Sequence, residues 1–250
     1  MKTLLMTIFL TGIILLPVKN NFAQTETEEN TKTESLPTLQ SLLDEKKAAF
    51  ELKASDEKKK IYSDGTQAVV NSGVLENALN NGDTAPDFLL KNSAGEEVTL
   101  YSYLEKGPVV LTWYRGGWCP YCNITLRRLQ QELPNFQSLG ASLIALTPEL
   151  PDSSLSTSEK QNLEFEVLSD PGNKVAGQFG IVFKLTNDVA DSYQKGFDLH
   201  AYNGDESNEL PLAATYVIDT NKEIIYTFLD ADYRNRAEPS DILDALKSSK

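Results

Sequence analysis

The chain has 250 residues and is poor in the side chains that most often build reactive centres: two Cys, one His, two Met and two Trp. Two Cys and one His cannot supply four Cys/His ligands, so a structural zinc site within one chain is excluded. A Ser-His-Asp mechanism would have to run through His200, the only imidazole. Positive charge is also scarce. Lys plus Arg is 23 against 36 Asp plus Glu, a net charge of -13. That balance argues against sequence-independent binding to nucleic acid or anionic lipid. Neither a G-x-G-x-x-G fingerprint nor a Walker sequence occurs, so no nucleotide cofactor is indicated. The apolar stretch Leu4 to Leu16, thirteen residues, is too short to span a bilayer.

That stretch follows Lys2 and precedes Phe22-Ala23-Gln24, which offers a small residue for cleavage. Residues 1–23 therefore read as a signal peptide, with Asn21 blurring the cleavage point. No Cys lies nearby for a lipid anchor. The expectation is an exported protein, periplasmic or extracellular, with no stable membrane insertion after cleavage, in a compartment that oxidises thiols.

Residues 24–82 read as an acidic linker and a helical extension. Gln24 to Ser35 is rich in Thr and Glu and has no apolar residue to bury. From Leu36 to about Tyr62 the spacing of Leu39, Leu42, Leu43 and Phe50 predicts one amphipathic helix, either solvated or partner-binding. Asp64-Gly65 and Asn80-Asn81-Gly82 mark turns around a second short helical stretch. Residues 83–250 read as one denser domain. Phe88 to Leu90 and Val98 to Leu100 form a hairpin around Asn92 to Gly95. Val109 to Tyr114 and Ala141 to Thr147 are strands buried on both faces. Cys122, Leu126, Leu129, Leu133 and Phe136 share one helix face, which Pro134 should kink or end. Further strands are expected at Phe165 to Leu168, Ala214 to Ile218 and Ile224 to Phe228. Helices are expected at Asn173 to Phe179, Asp188 to Lys195 and Ser240 to Leu246. Strands alternating with helices imply an α/β sheet, mostly parallel in its middle.

Both cysteines lie in Trp118-Cys119-Pro120-Tyr121-Cys122. A buried strand ends just before, Gly116-Gly117 turns the chain, and Pro120 suits the first turn of a helix. Cys119 then sits at the helix N-terminus, where unpaired N–H groups and the dipole lower a thiol from about 8.5 toward neutrality. Arg115 could add charge, and is a surface ion pair about as readily. Cys122, one turn inside, is less exposed and can reach Cys119. A redox dithiol is the leading reading. A structural disulfide closes too short a loop to constrain the unfolded chain much, a metal pair lacks further ligands, and inert thiols sit poorly with the flanking glycines. Trp113, Tyr114 and Trp118 read as core and rim of the site. His200, in the polar stretch Asp198 to Asn208, reads as solvated, as do Glu28-Glu29 and Glu96-Glu97.

Gly82 to Leu246 resembles the peroxiredoxin-like branch of the alkyl hydroperoxide reductase/thiol-specific antioxidant (AhpC/TSA) family, within the thioredoxin-like superfamily. The resemblance rests on Gly82-Asp83-Thr84-Ala85-Pro86-Asp87-Phe88, Gly107 to Leu111, Trp113 through Cys122, Leu168-Ser169-Asp170, Phe179-Gly180-Ile181, Ala214 to Asp219 and Asp232-Tyr233-Arg234. It implies a thioredoxin-like fold, a central mixed β-sheet flanked by helices. It implies Cys119 as the peroxide-attacking thiol, hydrogen peroxide or alkyl hydroperoxides as substrates, a thioredoxin-type protein reductant, and no cofactor beyond thiol redox. Thr112, Gly116 and Ala213 stand where the family usually has Pro, Thr and Arg, and Arg115 is the candidate substitute. The Cys-Pro-Tyr-Cys tetrapeptide is similar to that of dithiol glutaredoxins. The leading function is thus a peroxidase working through Cys119 sulfenic acid and a Cys119–Cys122 disulfide. The alternatives are an exported thiol-disulfide oxidoreductase and a binding module using the acidic N-terminal segment.

Overall fold

The computed structural model describes residues 37–92 and 95–248. The expected signal peptide, the linker and Glu28-Glu29 lie outside the described residues. Pro37–Lys250 forms one compact unit.

Five strands build the central sheet. β3 (Val109–Trp113), β4 (Ser142–Thr147) and β5 (Glu166–Ser169) are mutually parallel; β8 (Thr215–Ile218) and β9 (Ile224–Phe228) complete the order β5-β4-β3-β8-β9 as antiparallel neighbours. Two antiparallel pairs lie outside it: the expected hairpin β1 (Leu89–Lys91) with β2 (Glu97–Thr99), and β6 (Val182–Lys184) with β7 (Glu209–Pro211), which carried no sequence signal. The helices are α1 (Leu39–Lys53), α2 (Asp56–Val70), α3 (Val74–Asn77), α4 (Leu100–Leu104), α5 (Pro120–Ser138), α6 (Pro151–Gln161), α7 (Lys174–Gln178), α8 (Asn187–Phe197), α9 (Leu199–Asn203) and α10 (Pro239–Ser248).

Strand alternation divides the core. Val109, Leu111 and Trp113 of β3, Ile144 and Leu146 of β4, and Tyr216 and Ile218 of β8 point to one face, against α2, α7 and α8. Val110, Leu143, Ala145 and Val217 point to the other, against α1, α5 and α10. All five residues of β3 are buried, as the continuous apolar run requires for a strand covered on both sides. At about 1.5–3 kcal/mol per buried large aliphatic or aromatic side chain, these two layers dominate stability.

Four expectations are corrected. The single helix from Leu36 to Tyr62 is two, because Ser55 caps a new start by accepting the Lys58 N–H at 3.3 Å. α1 is neither solvated nor frayed: Leu39 and Leu43 are buried against α5, and Glu238 accepts the N–H groups of Leu39 and Gln40 at 3.1 and 2.6 Å. Asp64-Gly65 is no turn but lies inside α2, where Gly65 lets α8 approach; a Cβ there would stand 2.6 Å from Val189 Cγ2. Pro134 does not end α5, which runs on to Ser138. A proline inside a helix costs about 3 kcal/mol. Burial of Leu133 and Phe136, at about 2 kcal/mol each, offsets it.

Candidate active site

The site is built where β3 hands over to α5. Tyr114 still pairs with the sheet, donating its N–H to Leu146 O at 2.9 Å, and the chain then turns tightly, with Cys119 N bonded to Gly116 O at 3.0 Å. Gly116 has φ +150 and lies under the Trp118 indole, so close that a Cβ would overlap the ring. The Thr usual in the family at this position has no room here. The loop is pinned from behind: Gly117 N–H donates to Glu149 Oε1 at 3.0 Å, and Asn123 Nδ2 to Gly117 O at 2.8 Å. Pro120 opens α5 and Cys119 is its N-cap in an extended conformation, as the sequence indicates.

Both cysteines are unbonded thiols and almost fully buried, Cys119 1% and Cys122 0% exposed. Burial pushes the Cys119 thiol up, and donating its S–H to Cys122 pushes it further, beyond what Arg115 and Arg236 return. Burial acts on Cys122 in the same sense. The hydrogen bond from Cys119, the charges of Arg236 and Arg115 and the Arg115 backbone N–H outweigh it, and hold that thiol well below the usual range. The two thiols are thus coupled and share one proton across the pair. The sequence-based expectation put the lowered value on Cys119, from the helix terminus and the charge of Arg115. Arg236, which approaches Cys122 Sγ to 3.5 Å, adds a second cation on the side of Cys122.

Arg115 is not a surface residue: it is 2% exposed and makes no ion pair with a carboxylate among the described residues. Its Nη2 donates to Tyr193 OH at 2.6 Å. Its guanidinium lies 4.1, 5.1 and 5.3 Å from the ring centres of Tyr233, Trp118 and Tyr193. A desolvated cation–π contact is worth about 2 kcal/mol, while burying a charge costs several. The rings alone do not balance the burial. Burial works against the guanidinium's charge, but Tyr193, then Cys119, Tyr233 and Cys122, outweigh it and raise its pKa. Nε and Nη1 have no hydrogen-bond partner among the described residues. Two buried donors are thus left without a partner in the wall of the site.

Cys119, Arg115 and Trp118 line an open cleft of about 330 Å³ whose far wall is Phe50 and Tyr62 of α1 and α2. Stacked pairs flank it: Trp118 on Phe197 at 4.3 Å and Phe50 on Tyr62 at 5.6 Å. Cys122 is absent from the lining. Of the two cysteines only Cys119, though nearly buried, lines the cleft.

The structure brings Arg115, Cys119 and Cys122 together and leaves other flagged residues elsewhere. Trp113 is core, 4.8 Å from Phe179. Thr112 is spent inside the sheet, its hydroxyl bonded to Thr215 Oγ1 at 2.9 Å, and Ala213 carries no polar group to the site. His200 is half-buried rather than solvated, with Nε2 2.9 Å from Asn208 Oδ1, and takes no part in the cleft. Glu96 and Glu97 are exposed, as expected. Sequence reasoning missed Arg236, Glu149, Tyr193 and the Phe50/Tyr62 wall, because no motif spacing ties them to the cysteines. Burial pushes the Glu149 carboxyl up to about 7, against the bond from Gly117 that favours its ionised form.

Residues 81–227 match the family described as AhpC/TSA. Peroxiredoxin Q, chloroplastic, of Sedum lineare is 26% identical over 166 residues, 66% of this chain and 75% of that protein. Peroxiredoxin Bcp of Escherichia coli (strain K12) is 29% identical over 105 residues, 42% of this chain and 67% of that one. In fold the chain is similar to the crystal structure of peroxidoxin BcpB from Mycobacterium tuberculosis (TM-score 0.54, 22% identity, 69% of this chain and 99% of that one). It is likewise similar to PrxQ of Xylella fastidiosa, solved as a cysteine-to-serine mutant (TM-score 0.52, 20% identity, 68% and 97%). With a match over more than half its length, carried on a thioredoxin-like sheet that places the cysteine pair at a strand-to-helix turn, the chain belongs to the AhpC/TSA family.

Proposed function

We propose that the chain is a thiol-dependent peroxidase that reduces hydrogen peroxide or alkyl hydroperoxides through Cys119, with Cys122 as the resolving thiol. The observation that carries this reading is that Cys119, and not Cys122, lines a cleft together with the buried cation Arg115. The names of the relatives, peroxiredoxin Q and peroxiredoxin Bcp, support the same chemistry and do not favour protein disulfide exchange.

The reduced pair shares one proton. Its passage along the S–H···S bond from Cys119 to Cys122 leaves the cleft-facing sulfur as the thiolate, at no change in the pair's net charge. The thiolate attacks one peroxide oxygen, the O–O bond breaks, and Cys119 becomes a sulfenic acid. The departing alkoxide or hydroxide takes the proton from Cys122. Arg115 stabilises the charge that develops on the oxygens. The Cys122 thiolate then attacks the Cys119 sulfur and expels hydroxide, giving the disulfide. A thioredoxin-type dithiol reduces it. The Leu4 to Leu16 segment supports placing this cycle outside the cytoplasm, in a periplasmic or extracellular compartment.

Single-turnover oxidation with peroxide tests the assignment. Cys119→Ser should consume no peroxide. Cys122→Ser should accumulate a sulfenic acid trapped by dimedone on Cys119 and form no intramolecular disulfide. Dimedone found on Cys122 in a Cys119→Ser protein that still consumes peroxide would reverse the roles.

A further inference from the structure

Arg236 lies far from the motif in sequence, yet is buried, 5% exposed, with its guanidinium against Cys122 Sγ at 3.5 Å. It is held there from behind: Nη1 donates to the carbonyl oxygens of Tyr233 and Asn235. Neither contact is with a carboxylate, so both leave its charge free to act on the sulfur. Cys119 faces the cleft, and Cys122 lies behind it with the guanidinium on it. The two ends of a Cys119–Cys122 disulfide are therefore unlike, one on the cleft side and the other backed by a cation.

We propose that Arg236 fixes the direction of disulfide cleavage: the reductant's thiolate attacks Cys119, and Cys122 departs against the guanidinium. The inference rests on the reading of the two cysteines as a redox pair. In the first step a bond forms between the reductant's sulfur and Cys119, the Cys119–Cys122 bond breaks, and its electron pair stays on Cys122. In the second, the donor's other thiolate attacks the donor sulfur of the mixed disulfide and releases Cys119. The donor dithiol is oxidised to a disulfide. One of its two protons returns to Cys119 and the other goes to solvent. A sulfur stabilised as thiolate leaves faster and attacks back more slowly, so Arg236 both speeds the first step and suppresses its reversal. This also gives the Cys122 sulfur, beside the guanidinium, a role in the cycle. That sulfur serves as leaving group in reduction, while the nucleophile toward peroxide is Cys119.

The test starts from the disulfide made with diamide, so it does not depend on peroxidase activity. Oxidised wild-type protein is mixed with glutathione, quenched with iodoacetamide and mapped by mass spectrometry. The glutathione adduct should lie on Cys119, with Cys122 alkylated; an adduct predominantly on Cys122 overturns the proposal. Arg236→Gln should slow cleavage by dithiothreitol on the order of tenfold, and Arg236→Lys should recover part of the loss. On a Cys119→Ser background, Arg236→Gln should raise the pH midpoint of Cys122 alkylation by about one unit or more, an effect that a merely structural role would not produce. An unmoved midpoint, or equal cleavage rates in all three proteins, also overturns it. If diamide yields no intramolecular disulfide, the redox-pair reading falls first.

Discussion

Arg115 is a buried cation whose charge is met by rings and sulfur. Its Nε and Nη1 are buried without a hydrogen-bond partner among the described residues, and charge developing on a peroxide oxygen would supply one. Arg115→Ala should slow oxidation of the reduced protein by peroxide about tenfold or more, on the scale of one preorganised donor. Oxidation by a small disulfide should change far less, and stopped-flow rates with both oxidants measure the contrast. Glu149 poses a different residue-scale problem. It is fully buried and its carboxyl is pushed from 4.5 up to about 7. Between those values the folded protein holds the proton more tightly than the unfolded chain. Stability through this group is therefore full below about 4.5 and falls as pH rises toward 7. Glu149→Gln keeps an acceptor for Gly117 N–H and removes the charge. It should be more stable than wild type at pH 8, by on the order of 3 kcal/mol, and closer to it at pH 5. Urea midpoints at the two pH values check the sign.

At the scale of elements, α1 and α2 lie wholly outside the matched region yet line the cleft. Gly65 decides how closely α2 meets α8. Helix propensity alone favours Gly65→Ala by about 1 kcal/mol. The new Cβ would stand 2.6 Å from Val189 Cγ2, on a buried and rotamer-stiff side chain. Overpacking costs about 1–3 kcal/mol, so the balance is destabilising. A urea midpoint lower than wild type's is the expected outcome. The same position shows why sequence reading stopped where it did. Asp-Gly reads as a turn because a glycine serving backbone freedom and one serving close approach look alike until the neighbour is known. Pro134 failed as a helix end for a related reason: the burial of Leu133 and Phe136 is a tertiary term. The strands β3, β4, β8 and β9, with the long face of α5, were legible because their periodicity is local. β6 and β7, three residues each, carry no such pattern.

At the scale of the whole molecule, the cysteine pair and its place at a strand-to-helix turn could be read from Trp118 to Cys122 and the buried run before it. Arg236 could not, since it is 114 residues from Cys122 and reaches it only when the C-terminal segment closes over α5. The consequence was that the cation beside Cys122 went unread, although the two cysteines themselves were found. The proposed export is tested at this scale too. N-terminal mass analysis of the protein from its native host should show a start near Gln24 in an extracytoplasmic fraction; an intact Met1 in the cytoplasm contradicts it.

The central claim is that the Cys119 site accelerates attack on a peroxide bond. Trp118 borders the reacting sulfur, so stopped-flow tryptophan fluorescence of the fully reduced protein can follow oxidation directly. The expected result is a second-order rate with hydrogen peroxide or an alkyl hydroperoxide roughly a hundredfold or more above that of a free cysteine thiolate at the same pH. Rates with both peroxides no faster than the free thiolate would contradict it.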